Sequence, residues 1–366
     1  MIPGPVSLSP DVAGALAQPV RPHYGKDWVR EYSRVRSDMA EVFMTTGTVV
    51  LPFGPGTAGI EMALASVLAR GDEVLIPSNG AFADRMHEIS ETLGLKVHKL
   101  RFQDSSPIDV QTVRDTLRSR PGIRALGLVH HETIVGIVNP IQQLTSLARD
   151  KGLLTIVDAV SSLGGIEVRM DDWNIDVCVT VANKCLGGPV GVAPMAVSAR
   201  AWDAVDDGRT KAAGWYLNLK TWRSYQEMWA GWHPHPTTMP SMAIVALGVA
   251  VRRILENGLQ DYLERQQNAC RRVREGLREL GFQLFVADEV ASPVTTTVLA
   301  VEGMDVDGYI EWLARNSGLR VAGGTGALAG RIFRVSHMAT ASEPAVVESF
   351  LAATRRYVSS QHWRAS

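Results

Sequence analysis

The chain has 366 residues, 46% of them hydrophobic and 20% charged, with a formal net charge of −1. That length exceeds one typical core, so two domains are expected, and the composition is that of an ordinary globular protein. The near-neutral balance leaves no electrostatic footprint for nucleic acid or an anionic membrane, and no apolar run approaches the ~20 residues of a membrane span.

Residues 1–25 carry Pro3, Gly4, Pro5, Pro10, Pro19, Pro22 and Gly25 and are expected to form an extended arm that packs on the body or on a partner subunit. Met1–Pro5 has neither a basic nor an apolar region of a secretory signal, which makes the cytoplasm the expected compartment. From about residue 45 short β-branched runs alternate with amphipathic helical runs. Strands are predicted at Thr48–Phe53, Glu73–Pro77, Leu95–Leu100, Ala125–His130 and Leu153–Asp158. Helices are predicted at Ala58–Leu68, Phe82–Leu93, Val110–Leu117 and Ile141–Asp150. The alternation implies a mainly parallel sheet covered on both faces. Val177–Val181 and Gly191–Val197 then follow too closely for a crossover helix, so an antiparallel pair is expected at one edge.

Residues 200–240 read as irregular and hold Trp202, Trp215, Tyr216, Trp222, Tyr225, Trp229 and Trp232. Packing beneath a long loop or at a subunit interface is favoured over a ligand-stacking cluster. Long helices follow at Ser241–Asn257, with Gly258 as its stop, and at Gln260–Leu280. Strand, helix, strand, strand and helix then complete a smaller carboxyl-terminal domain. The expected division is an arm over 1–25, a large domain over 26–255 and a small domain over 256–366. Cys178, Cys185 and Cys270 are odd in number and form no CxxC, so neither a disulfide framework nor a zinc site is indicated.

Five places carry candidate chemistry. Phe53-Gly-Pro-Gly-Thr-Ala58 joins a strand to a helix, and free N–H groups of Gly56, Thr57 and Ala58 would hold a phosphate; the alternative is a plain tight turn. No Walker or GxGxxG spacing is present, so a phosphate monoester is favoured over a nucleotide. Phe82 starts a helix beyond a strand's carboxyl end, where it could stack on a ring or pack in the core. His130-His131-Glu132-Thr133 has poor metal spacing and reads as a loop at a ligand's edge, with Thr133 donating.

Asp158 closes an apolar strand, where a carboxylate is costly to bury unpaired. Lys184 is the only charged residue between Asp176 and Arg200 and lies in a glycine-rich stretch, which suggests a buried amine of depressed pKa. A carboxylate and an amine delivered together to the end of a sheet are what a pyridoxal phosphate enzyme needs. The amine forms the Schiff base and the carboxylate keeps the pyridine nitrogen protonated. A structural ion pair at Asp158 and a snorkelling lysine at 184 are the alternatives. Arg334, in a late apolar strand, offers a fork for a carboxylate or for a buried acid.

Together these motifs resemble fold-type I, class V aminotransferases of the alanine–glyoxylate and serine–pyruvate type. The match runs through Gly54-x-Gly-Thr-Ala, Val157-Asp-Ala-Val-Ser-Ser-x-Gly-Gly165, Asn183-Lys184 and Phe333-Arg-Val-x-His-Met338. The resemblance implies an α/β fold with a seven-stranded sheet and pyridoxal 5'-phosphate bound at Lys184 and Asp158. It implies further cofactor contacts at Gly56, Thr57, Ala58, Phe82, Thr133 and Asn183, and at Thr237 or Thr238 across the interface of a homodimer. It also implies substrate contacts at Arg334, Gly4 and Tyr24, and transfer of an amino group from a small amino acid to a 2-oxo acid by ping-pong kinetics. His130–Thr133, Asn139-Pro140 and Asn183–Gly187 look especially like pyridoxamine–pyruvate aminotransferase, and ureidoglycine–glyoxylate aminotransferase is another relative. A desulfurase lacks a suitable loop cysteine here, and a catalytically idle pyridoxal-binding protein is the remaining alternative.

Overall fold

The computed structural model describes residues 1–210 and 214–360. Its strands are β1 (Thr48–Val50), β2 (Glu73–Ser78), β3 (Lys96–Arg101), β4 (Ile123–Val129), β5 (His131–Glu132), β6 (Ile137–Val138), β7 (Leu154–Asp158), β8 (Val177–Val179), β9 (Met195–Val197), β10 (Thr295–Leu299), β11 (Ala322–Gly323) and β12 (Ile332–Ser336). Seven of them form one sheet in the order β1-β9-β8-β7-β4-β2-β3. The sheet is parallel except for β9, which runs antiparallel to both β8 and β1. The antiparallel strand is therefore second from the edge rather than at it, because β1, about 150 residues earlier in the chain, pairs outside it with Thr48 opposite Val197. Helices cover both faces, so Leu75, Ile76, Leu126, Leu128, Ile156, Val157, Val177 and Val179 are all sealed from solvent.

One long helix was not foreseen. Lys26–Phe43 buries Trp28, Tyr32, Val35, Met39 and Val42 along one face and packs against the helix Ser241–Glu256. Residues 200–240 are more regular than expected, with helices at Ala199–Asp206 and Leu219–Met228. Each is capped by a side chain, Ser198 and Asn218, at spacings a pass for apolar periodicity overlooks. The aromatics divide accordingly. Trp222 and Trp202 are buried, while Trp215, Trp229 and Trp232 are exposed.

A three-stranded antiparallel sheet, β10-β12-β11, carries a second core with the helices Leu259–Glu279, Val306–Ser317 and Pro344–Ser360. Val273, Leu277, Tyr309, Leu313, Phe333 and Phe350 fill it. The first residues stitch the two sheets together: Ser336 N donates to Met1 O at 2.8 Å, and Val6 N donates to Asn183 O at 3.1 Å. The arm is extended only to Ser9. Ser9 then caps a helix, Pro10–Leu16, whose Val12 packs on Ala246 and Ala250. Among the described residues no helix is long and apolar enough to cross a membrane.

Asp176 anchors the strands that present the site. It is buried, and its carboxylate accepts from Thr155 N (2.8 Å), Ser198 Oγ (3.1 Å) and Arg200 Nε (2.9 Å), tying β7 to the turn after β9. Asp176→Ala would strand the Arg200 charge and a strand N–H, so a loss of about 3–5 kcal/mol in urea denaturation is expected. A loss under about 1 kcal/mol would show that the network does not carry the strand ends.

Candidate active site

Asp158 ends β7 and Lys184 lies just beyond β8, so adjacent parallel strands deliver both to the carboxyl edge of the sheet. Pairing continues past β8: Thr180 N donates to Pro194 O and Ala182 N to Val192 O, each at 2.9 Å. The chain then turns sharply, with Gly187 N donating to Lys184 O at 2.9 Å and Gly187 at φ +69°, a conformation that favours glycine. This fixes the Lys184 backbone while its side chain reaches into a cleft of about 250 Å³.

That cleft is lined by Gly56, Thr57, Phe82, Asp158, Asn183 and Lys184, with Val160 and Val181 as apolar walls. Gly56 is needed for space, since a Cβ there would stand 2.6 Å from Val160 Cγ2. Gly56 and Thr57 open the helix Gly56–Val67, whose cap Pro55 supplies no side-chain acceptor, so their N–H groups face the cleft end of a helix dipole. Ala58 differs from expectation: its N–H turns back to Pro55 O at 2.9 Å. The donors left at this terminus are those of Gly56 and Thr57.

The electrostatics of the cleft are unusual. Burial pushes the Asp158 carboxyl up to about 6, against a hydrogen bond from Val160 N at 2.9 Å and the attraction of Lys184. Burial holds the Lys184 amine below its ordinary value, against the attraction of Cys185 and Asp158. Among the described residues no cation lies within ion-pair distance of Asp158, and the Lys184 amine donates to Pro3 O. Gly4 abuts the same side chain, and a Cβ on it would stand 2.5 Å from Lys184 Cδ.

Arg334, at the centre of β12, donates through Nε to Gly323 O at 2.9 Å, and its two terminal amino groups have no partner among the described residues. Its charge is felt at Lys184, although it lies outside the cleft lining. Thr133 is buried in the β5–β6 turn and does not line the cleft. Thr237, Thr238 and Tyr24 are not brought to it within this chain. Thr238 is exposed, the Thr237 carbonyl pairs with His235 Nδ1 at 2.8 Å, and Tyr24 stacks on Trp232 at 5.2 Å.

Sequence reasoning passed over two residues. Glu132, within the His-His-Glu-Thr run, caps the helix Ala81–Thr92: its carboxylate accepts from Ala83 N at 2.9 Å and Phe82 N at 3.1 Å. Arg85 lies one helical turn past Phe82 and lines the cleft, a position that i, i+3 spacing could have revealed. The two histidines before Glu132 are structural in kind. His130 Nδ1 meets Ser162 Oγ at 3.0 Å, His131 Nδ1 meets Ser161 O at 2.9 Å, and burial lowers them to about 4 and about 3. His23, His233 and His235 gather elsewhere at metal-like spacing. His235 is already engaged through both nitrogens, with Trp28 Nε1 donating to Nε2 at 2.9 Å, so the trio does not converge three free lone pairs.

The aminotransferase class-V family model matches residues 14–347. The chain is a class V aminotransferase. Its fold is close to that of the ureidoglycine–glyoxylate aminotransferase of Bacillus subtilis, at TM-score 0.92 and 28% identity over 100% of this chain and 95% of the other. The alanine–glyoxylate aminotransferase of a Nostoc species gives TM-score 0.92 and 29% identity, covering 97% and 94%. The pyridoxamine–pyruvate aminotransferase of Mesorhizobium loti gives 0.91 and 27%, covering 98% and 92%.

Aminotransferases of this class depend on pyridoxal 5'-phosphate. The residues present fit that group on three counts. An uncapped helix terminus awaits an anion, the backbone at Gly56 leaves a space that a side chain would fill, and a desolvated carboxylate lacks a cation. The last point has a consequence for the cofactor-free protein. The native state binds the Asp158 proton more tightly than the unfolded chain, so it holds more protons between about pH 4 and 6, and stability falls as pH rises through that window. Asp158→Asn should stabilise the cofactor-free aminotransferase by about 2–3 kcal/mol above pH ~7 and hardly at all below pH ~4. Urea denaturation at both ends checks this, and an equal effect at the two would exclude an uncompensated carboxylate.

Proposed function

We propose that this aminotransferase moves an amino group from a small amino acid of the alanine or serine type to a 2-oxo acid such as glyoxylate or pyruvate. The observation that carries the proposal is the shared cleft of Lys184 and Asp158 at the carboxyl edge of the sheet. Gly56, Thr57 and Asn183 would hold the cofactor's phosphate, Phe82 would cover one face of its ring, and Lys184 Nζ would hold its aldehyde carbon. When bound, pyridoxal phosphate supplies an electron sink next to the substrate's α-carbon.

The chain's own residues then have distinct tasks. Asp158, ionised beside a cationic ring nitrogen, would keep that nitrogen protonated. Lys184 Nζ, once displaced by the substrate amine, would take the α-proton; burial lowers its pKa, which favours the uncharged amine that such a role requires. Arg334 has a free guanidinium fork for the substrate carboxylate. Gly4 and Pro3 crowd the amine, which favours substrates with short side chains. The acceptor would enter after the first product leaves, the basis of ping-pong kinetics.

Residues 1–25, 26–255 and 256–366 would act as arm, cofactor-binding domain and small domain of a cytoplasmic homodimer. Exposed Phe53, Val190, Trp215, Trp229 and Trp232 support a subunit interface, and Tyr24, Thr237 and Thr238 would serve the partner's cleft. Transamination of pyridoxamine is the second reading, favoured by the His-His-Glu-Thr run; the anion-ready terminus at Gly56 argues for a phosphorylated ligand. A desulfurase is disfavoured because all three thiols are buried, with Cys185 pushed up to about 12 and Cys270 to about 11.

A donor-by-acceptor screen tests the proposal. Lys184→Ala should lose turnover with every pair while still binding the cofactor noncovalently; retained activity would remove its role. Arg334→Gln should raise KM for carboxylate substrates by the equivalent of about 2–4 kcal/mol. An unchanged KM would place carboxylate recognition elsewhere.

A further inference from the structure

A phosphate monoester carries roughly −1.5 to −2 charges near neutral pH, whereas a helix terminus offers about +0.5. The other groups proposed at the cradle, Thr57 and Asn183, are neutral. Two cationic side chains line the cleft, Lys184 and Arg85. Lys184 donates to Pro3 O and is committed to the reacting end. Arg85 is different: it makes no hydrogen bond or ion pair among the described residues, and its guanidinium lies 5.2 Å from the Phe82 ring centroid.

Its placement follows from two helices that face each other across the cleft. Phe82, Arg85, Met86 and Ile89 form an i, i+3, i+4, i+7 stripe on the helix Ala81–Thr92. Gly56, Thr57 and Ile60 line the opposite wall on the helix Gly56–Val67. The stripe puts Arg85 one turn beyond the ring-covering residue, in the same cleft as the helix terminus, where its charge is felt at both Asp158 and Lys184. Asp158 is the acid in the same cleft that feels the Arg85 charge, yet no ion pair joins the two among the described residues.

We infer that Arg85 is the side-chain cation that neutralises the cofactor's phosphate, and that it thereby sets the preference for pyridoxal phosphate over free pyridoxal. The inference rests on the cofactor placement proposed above. A guanidinium suits the task, because its planar fork grips phosphate through two charge-assisted bonds and cannot lose its proton.

The test is equilibrium binding to the cofactor-free full-length chain, followed by quenching of tryptophan emission, with pyridoxal phosphate and pyridoxal as separate probes. Arg85→Gln should weaken pyridoxal phosphate by about ten- to a hundredfold. It should leave pyridoxal within about twofold, and Arg85→Lys should recover part of the loss. Inorganic phosphate should compete with pyridoxal phosphate on the parent chain and much less on Arg85→Gln. An equal effect on both probes would overturn the inference in favour of a packing role beside Phe82. No effect of Arg85→Gln on either probe would likewise overturn it. If the parent chain binds neither probe, the cofactor placement itself falls, a result distinct from either of these.

Discussion

Two opposite charges are desolvated in one cleft without touching, and much of the structure exists to keep them so. Asp158 and Lys184 each have their charged form disfavoured by burial, and their mutual attraction only partly offsets it. Left free, a lysine would snorkel to water and a carboxylate would turn to a nearby donor. Backbone geometry keeps the lysine from water and leaves the carboxylate a single backbone donor, Val160 N at 2.9 Å. Asp158 is fixed by the last hydrogen bonds of β7, with β8 and β4 on either side, and Lys184 by the turn at Gly187. The amine is then turned toward the arm, whose Pro3 carbonyl receives it. A ligand that brings a cation to Asp158 and an electrophile to Lys184 relieves both penalties together, which is why the arrangement reads as a binding site rather than as a structural ion pair.

The arm links this constraint to the second core. Met1 joins β12 through Ser336, Val6 joins the Lys184 segment, and Gly4 lies between them against the lysine stem. Arg334 sits two residues before Ser336 on the same strand. The Arg334 guanidinium and the Lys184 amine are thus tied to the same short piece of chain, and a shift of the small sheet would move both.

The legible part of the fold was the part encoded locally. Alternating runs identified the parallel sheet, because strands buried on both faces must be continuously apolar. An isolated charge after such a run marked Asp158 and Lys184. What escaped depends on long-range pairing or on capping. The place of β1 outside β9 follows from contacts across about 150 residues. The helix Lys26–Phe43 lay outside the stretch where alternation was sought, and the Ala199–Asp206 and Leu219–Met228 helices were hidden by an aromatic-rich composition. At the site, Ala58 counted as a free donor only because a sequence does not show that its N–H folds back to Pro55. Arg85 and Glu132 were passed over because each takes its meaning from a neighbouring element.

Glu132 shows how such a meaning arises. Its carboxylate sits at the start of the helix Ala81–Thr92, where two backbone N–H groups and the dipole favour the ionised form. Burial and the nearby Asp158 oppose this, and burial prevails, so the group is pushed up to about 7. Gly80 makes the approach possible, since a Cβ there would stand 2.5 Å from the carboxylate. The helix so held carries Phe82 and Arg85 into the cleft, which makes their position depend on an acid within range of the Asp158 charge. A cation arriving at Asp158 would weaken the repulsion that Glu132 feels, strengthen its ionised cap, and tighten the wall that covers the ligand.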